Sequence, residues 1–397
     1  MTSDDPETGG GGRLSLLHIG NTANNAFYNH LILAESTRFI SRTPILTSVR
    51  HAMSTPAWET TDFPVPSSKW ISDPVWDQFV SSATVNEEYV WSRSSQKSLD
   101  GNVSGAVTRY RRGTKNLRHL GSRIPFVKST YLGVRQRMST AGKSTTKLSA
   151  DIRVVYGPDF VGNFRLPNNR PWVALEHGTL RWLVDGPKND RWLRRQYGNA
   201  LKRALLTWVT NLDARTLEIA EDLLPGRWAV FPHPYIAFSS SGAGIAPDLS
   251  WRRQCLEETE SEFLIFLPSS INWGVHHNKG TLTALNAFRD LRSRGIPASL
   301  ALADWGLNVA DAKKWLSDHR LDAYVTWHTP MPRLRLLPRM ASADVVWDQF
   351  GLPAFGALAL RACDAGVPLI SSGIASSVVN LLGFDVPWLA ASSPEEV

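Results

Sequence analysis

Three short stretches of the chain put polar or charged residues where an apolar run ends and a helical pattern begins. In an open α/β sheet, ligands lie beyond the carboxyl ends of the strands, where helix N-termini offer unpaired N–H groups to anions. In the first stretch, Pro268-Ser269-Ser270-Ile271-Asn272-Trp273 leads to Lys279-Gly280. A lysine that opens a helix opposes the helix dipole, and that unfavourable placement points to an anion such as phosphate, which the ammonium neutralises as a point charge. The second is Phe355-Gly356 at the head of a helix expected over 357–364, preceded by Asp348-Gln349-Phe350-Gly351. A glycine there lets a phosphate or ribose approach the backbone, although taken alone it serves packing or capping more often. The third is Glu176-His177-Gly178-Thr179-Leu180-Arg181, after an apolar strand. A lone histidine is usually a satisfied core or surface residue; at a strand tip between Glu and Gly it is a candidate for touching a substrate hydroxyl.

The elements around these stretches follow one grammar. Residues 1–12 end in four glycines and read as a disordered lead-in. Strands are expected at 14–19, 152–158, 171–175, 206–211 and 228–231, with helices over 24–38 and 191–206. Residues 239–244, Ser-Ser-Ser-Gly-Ala-Gly, have the flexible composition of a connector. The pattern then restarts: strands at 263–267, 298–303, 323–327, 343–347 and 367–370 alternate with helices over 279–294, 309–319, 334–341 and 355–364. Gly295 and Gly366 follow two of these helices, as C-terminal caps do. The fold class is therefore α/β, with two doubly wound Rossmann-like domains facing across a cleft. The expected division is 13–237 for the first domain, 238–250 for the linker and 251–397 for the second. Ser393-Pro394-Glu395-Glu396 reads as a helix start just before the sequence ends, which favours a truncated second domain.

Composition narrows the class. The 397 residues suit two domains, and 43% apolar with 20% charged residues is an ordinary globular mix. Two cysteines, Cys255 and Cys363, cannot build a disulfide framework, and the acidic start Met1-Thr2-Ser3-Asp4-Asp5 lacks the layout of a signal peptide. No run of 18 apolar residues occurs, so the expected location is cytoplasmic. The net charge of +7 is uneven: 101–150 hold eleven Lys or Arg and no acid, and the rest of the chain is slightly acidic. Such a segment suits contact with an anionic membrane at its inner face, a polyanionic acceptor, or simply solvent. Nucleic acid is the least favoured partner, because the segment has few aromatics to stack bases and no nucleic-acid motif. The 16 tryptophans are assigned mainly to packing.

The ordered set Glu176-His177-Gly178-Thr179, Lys279-Gly280, Asp304-Trp305-Gly306, Asp348-Gln349-Phe350, Phe355-Gly356 and Ala365-Gly366-Val367-Pro368 resembles the family 4 glycosyltransferases of GT-B fold, closest to a bacterial subgroup with an Asp-Gln-Phe signature. Gly20-Asn21 with Asn24-Asn25, and residues 51–59, also resemble that subgroup's first domain. The resemblance spans about 13–397 apart from the basic segment. It implies retaining, metal-independent transfer of a sugar from a nucleotide-sugar donor, without a further cofactor, to a cell-surface polysaccharide or glycolipid acceptor. It also implies roles. Lys279 would contact the diphosphate, with Phe355 and Gly356 presenting helix N–H groups to the donor. His177, beside Glu176, would touch the sugar near the reacting carbon, and Gly20, Asn21 and Asn24 would line the acceptor side.

Three positions depart from the family pattern. Its two glutamates around Phe-Gly are here Pro353 and Arg361, and the arginine before the lysine is Ser270. Asp348 is then the carboxylate available to replace one glutamate, and Arg361 a cation that could approach the phosphates. The alternative is a catalytically impaired GT-B protein acting as a binding or partner subunit.

Overall fold

The computed structural model describes residues 14–19, 39–45, 151–157, 171–176, 179–185, 191–210, 213–230, 244–273, 278–351, 356–372 and 387–397. Gly20, Asn21, Asn24, His177, Phe355, the basic segment 101–150 and the helix expected over 24–38 lie outside the described residues.

The first half supplies strands β1 (Leu14–Ile19), β2 (Phe39–Ile45), β3 (Ile152–Tyr156), β4 (Trp172–Glu176), β5 (Leu206–Val209) and β6 (Trp228–Val230). They form one parallel sheet in the order β2-β1-β3-β4-β5-β6. Helices α1 (Thr179–Asp185), α2 (Arg191–Leu201) and α3 (Ala214–Leu223) connect its later strands. Every residue of β4 is buried, as expected of a parallel strand covered on both faces. Leu180 and Leu183 of α1, Tyr197 and Leu201 of α2 and Ile219 of α3 close a core over Trp172 and Val209.

The second half repeats the plan with β7 (Phe263–Leu267), β8 (Ala298–Ala303), β9 (Val325–His328), β10 (Val345–Trp347), β11 (Leu369–Ser371) and β12 (Leu389–Ala390), all parallel. Their order is β12-β11-β10-β7-β8-β9. Read from β7 this is the Rossmann arrangement, and the winding reverses between β7 and β10, where Val345 pairs with Ile265 and Val346 with Phe266. Helices α4 (Leu249–Glu258), α5 (Thr281–Ser293), α6 (Val309–Asp318), α7 (Arg333–Ser342) and α8 (Ala357–Asp364) cover the sheet. Two cores result, one around Phe266, Leu336, Met340 and Val346 and one around Ile265, Leu285, Phe288, Leu302 and Trp347. Leu217 of α3 and Val230 of β6 pack against the first of these, so the two sheets meet there.

Several expectations need correction. The helix expected over 191–206 ends at Leu201, because turns at 202–205 must lead into β5. The connector expected over 238–250 runs into α4, whose N-cap Asp248 accepts from the Trp251 N–H at 3.0 Å. Helices α1, α3 and α4 and strands β2 and β12 are not expected from the sequence pattern. Of these, α1 (7 residues) and β12 (2 residues) are too short to set a period. At the end of the chain a turn forms in which the Glu396 carboxylate accepts from the N–H groups of Ser392 (2.7 Å) and Ser393 (3.2 Å). Cys255 is buried, Cys363 is exposed, and both are free thiols.

Candidate functional site

The switch point between β7 and β10 carries two of the three stretches that the sequence singled out. After β7 the chain turns through Ser270 and Asn272, whose side chain ties the turn together. Asn272 Nδ2 donates to Ser270 Oγ at 2.9 Å, and its Oδ1 accepts from the Leu307 N–H at 2.7 Å. The loop after β8 closes over the same turn: the Ile271 N–H donates to the Trp305 carbonyl, and the Asn308 N–H to the Ile271 carbonyl. Gly306 (φ 129°) makes this approach possible, since a Cβ there would sit 2.4 Å from Ile271 O.

Lys279 is pinned at both ends of its peptide. Its N–H donates to the Asn272 carbonyl at 2.9 Å, and its own carbonyl accepts from the Phe350 N–H at 2.9 Å. Gly280 follows in the left-handed region (φ 70°) as the N-cap of α5. A Cβ on Gly280 would lie 2.4 Å from Gly351 N and 2.6 Å from Phe350 C, so the loops after β7 and β10 touch backbone to backbone. The sequence joins Lys279 to Gly280; the tertiary structure joins both to Asp348-Gln349-Phe350-Gly351.

The side chains converge in the same place. Lys279 Nζ donates to Gln349 Oε1 at 2.7 Å. Lys279 is half-buried as a residue, yet enough protein surrounds its ammonium to lower its pKa. Desolvation is the largest cause, Asp348 opposes it, and the positive charge of Arg181 adds to it. Asp348 is buried, and among the described residues its Oδ2 has no hydrogen-bond partner. Burial pushes its carboxyl up to about 6, against the opposing pull of Lys279 and a backbone bond at Gln349. This Oδ2 lies 3.9 Å from where a Cβ on Gly356 would sit, so the carboxyl faces the N-terminus of α8. Ser269 Oγ, just past the end of β7, is a second buried polar atom without a partner among the described residues. Buried polar groups are normally paired. An orphaned carboxyl oxygen close to a desolvated lysine is the kind of polar pair that an anionic, hydroxyl-bearing ligand would satisfy.

The other residues singled out fall differently. Glu176 is fully buried at the end of β4, and its Oε1 accepts from the Leu180 N–H at 2.9 Å, capping α1. Its carbonyl also accepts from Thr210 Oγ1 at 2.8 Å. The carboxylate thus ties the end of β4 to the start of the helix that carries Arg181. Arg361 is buried within α8, five residues beyond Gly356, and Ser270 is engaged by Asn272. Sequence reasoning did not assign Gln349 as the partner of Lys279, or Arg181 as a charge that Lys279 feels. The second had a readable signal: Arg181 is a cation in the opening turn of a helix that follows a parallel strand, as Lys279 is a cation just before one.

No family model matches the chain, and no curated protein matches it. Solved structures resemble it throughout its length. Sucrose-phosphate synthase from Thermosynechococcus elongatus superposes with a TM-score of 0.51 at 12% identity, covering 97% of this chain and 88% of its own. A glycosyltransferase from Rickettsia africae gives 0.51 at 11% identity, covering 97% and 86%. Anabaena HepE, solved with UDP and glucose, gives 0.50 at 12% identity, covering 97% and 87%. With two parallel Rossmann-like sheets, one wound 3-2-1-4-5-6 and carrying the polar cluster at its switch point, the chain has the GT-B fold.

Proposed function

We propose that this protein is a glycosyltransferase that takes a sugar from a nucleoside diphosphate sugar. The observation that carries this reading is the switch point of the second sheet. There a desolvated lysine lies beside a buried carboxyl, raised to about 6 and with an oxygen unpartnered among the described residues, that faces the N-terminus of α8. Two of the similar folds are a sugar-phosphate synthase and a protein solved with UDP and glucose, which agrees with a nucleotide-sugar donor.

In this reading the bond from the anomeric carbon to the diphosphate oxygen breaks, and a bond from that carbon to an acceptor hydroxyl forms. The hydroxyl proton is released, and the nucleoside diphosphate departs with the negative charge. Stabilising that growing charge is the main electrostatic task. It falls to Lys279 and to the N–H groups that follow Gly356, without a metal. Asp348, which faces the start of α8, hydrogen-bonds a hydroxyl of the donor. The family resemblance adds His177 near the reacting carbon, with the sugar retained in configuration. It assigns Gly20, Asn21 and Asn24 to a polysaccharide or glycolipid acceptor, while the positive charge of 101–150, outside the resemblance, suits an anionic membrane surface. Among the described residues no helix is long and apolar enough to cross a membrane.

A second reading, a GT-B protein that binds its donor without turnover, is favoured by Ser270 and Arg361 standing where the resemblance expects an arginine and a glutamate. One experiment separates the readings. Thermal stability is measured with UDP, GDP, dTDP, CDP and their sugars at millimolar concentration. A ligand at about 100 times its Kd adds roughly 2.7 kcal/mol. One nucleobase standing out, with slow hydrolysis of its sugar, supports the transferase. The same shift without sugar release supports the binding module, and no shift with any nucleotide overturns both.

A further inference from the structure

Gln349 stands between the two parts of the switch-point cluster. Its main chain is fixed on both sides. The Gln349 carbonyl accepts from the Ser372 N–H at 2.8 Å and from Ser371 Oγ at 3.3 Å, at the end of β11. The Asp348 N–H before it donates to the Ile370 carbonyl at 3.1 Å, and the Phe350 N–H after it to the Lys279 carbonyl at 2.9 Å. The residue is buried, and its side-chain amide spans the site. Oε1 accepts from Lys279 Nζ at 2.7 Å, while Nε2 lies 4.0 Å from where a Cβ on Gly356, the N-cap of α8, would sit. An ammonium has only protons to offer, so the amide must turn its oxygen to Lys279 and its nitrogen toward α8.

Among the described residues Gln349 is the only hydrogen-bond partner of Lys279 Nζ. A lysine head on its four-carbon stem otherwise samples many rotamers, and a carboxyl, that of Asp348, belongs to the residue next to Gln349. Pairing with a carboxylate would hold the ammonium but cancel the charge that an anion needs. An amide holds it without removing charge, and occupies one of its three protons. The ammonium and the start of α8 are thereby kept one amide apart before any ligand arrives, which lowers the ordering cost of binding.

We propose that Gln349 is a positioning residue for the diphosphate of the donor: its neutral amide holds the Lys279 ammonium beside the start of α8, so that one phosphate meets the ammonium and the helix N–H groups together. This assignment rests on the proposed donor function and deepens it. Its two requirements are separable: the side chain must hold Lys279, and it must carry no charge.

The test uses the full chain, isothermal titration with UDP, GDP, dTDP, CDP and inorganic pyrophosphate, and the ligand-free melting temperature of each variant. Gln349→Met keeps the length and removes the acceptor, and is expected to weaken pyrophosphate and the nucleotide that binds by about threefold to tenfold. Gln349→Glu keeps the acceptor and adds a charge. Its melting temperature should stay within a few degrees of the parent, because the ammonium gains an ion pair, while both ligands weaken by at least about tenfold. Affinity that falls while stability holds is a result that a merely structural residue would not give. Parent-like affinity in either variant overturns the assignment while the donor reading stands: in Gln349→Met it would mean that holding Lys279 is not needed, and in Gln349→Glu that neutrality is not. Affinity that falls only in step with melting temperature in both variants overturns it as well, and so does a loss confined to the nucleotide with pyrophosphate unchanged. Pyrophosphate binding that depends on Gln349, with no nucleotide binding at all, keeps the positioning role and overturns the donor reading. Failure of the parent to bind any of these probes overturns both.

Discussion

Lys279 Nζ donates to the amide oxygen of Gln349 at 2.7 Å, so the ammonium at the switch point leans on a neutral group although Asp348 is the adjacent residue. An amide satisfies one of its three protons and leaves the cation available to a ligand. The protein therefore holds a partly desolvated charge that does little for folding. Lys279→Met should keep the ligand-free melting temperature within a few degrees of the parent, or raise it, and should abolish the shift given by a nucleoside diphosphate. Thermal unfolding with and without nucleotide checks both halves. A variant that still responds to nucleotide would remove Lys279 from the site.

The carboxyl of Asp348 titrates in the folded state at about 6, above its ordinary value of 3.8. A raised carboxyl means that the folded state binds the proton more tightly. The resulting stabilisation is fully present below 3.8 and is lost as pH rises through about 6. Asp348→Asn has no such dependence. Relative to that variant, the parent should lose up to about 3 kcal/mol between pH 4 and pH 8, since each tenfold gain in proton affinity is worth roughly 1.4 kcal/mol. Urea unfolding of both proteins at several pH values measures the difference, and parallel curves would show that Asp348 is not perturbed.

His328, at the end of β9, shows the opposite sign. Its ring packs edge-on against Trp251 at 5.3 Å, and its Nε2 contacts Thr326 Oγ1 at 3.1 Å. Burial, helped by the positive charge of Arg339, lowers its pKa to about 4 from 6.5. The fold therefore prefers neutral imidazole. The stability that this provides is present above 6.5 and is lost as pH falls toward 4, the loss reaching about 3 kcal/mol there. His328→Gln should flatten acid unfolding across that window in circular dichroism. An unchanged acid transition would assign it to other groups.

Gly280 combines a left-handed backbone with a contact that admits no side chain. Gly280→Ala should cost more than about 2 kcal/mol, since left-handed geometry alone costs an alanine roughly 1–2 kcal/mol before the clash with Gly351 is added. Chemical denaturation reads the cost. A change below about 0.5 kcal/mol, the scale of a neutral surface substitution, would mean that the loops after β7 and β10 part easily.

Much was legible in the chain before any coordinates. Apolar runs such as Leu264-Ile265-Phe266-Leu267 and Ala298–Ala303 are buried on both faces in a parallel sheet, so composition and length alone mark them as strands. Lys279 and Gly356 stood out because a cation or a glycine at a helix start has a local electrostatic or steric meaning. Other features could not be read that way, because they depend on which loops the winding brings together. Gln349 meets Lys279 across a sequence separation of 70, and Gly280 meets Gly351, only because β7 and β10 are neighbours at the switch point. The burial that raises Asp348 exists only once the loops and strands of the second sheet have packed, and the charge that Arg181 exerts on Lys279 only once the first half is in place as well. Local pattern determined the strands, the helix starts and the fold class. The tertiary structure decided which of those helix starts share one site, because desolvation and through-space charge belong to neighbours in space, not in sequence.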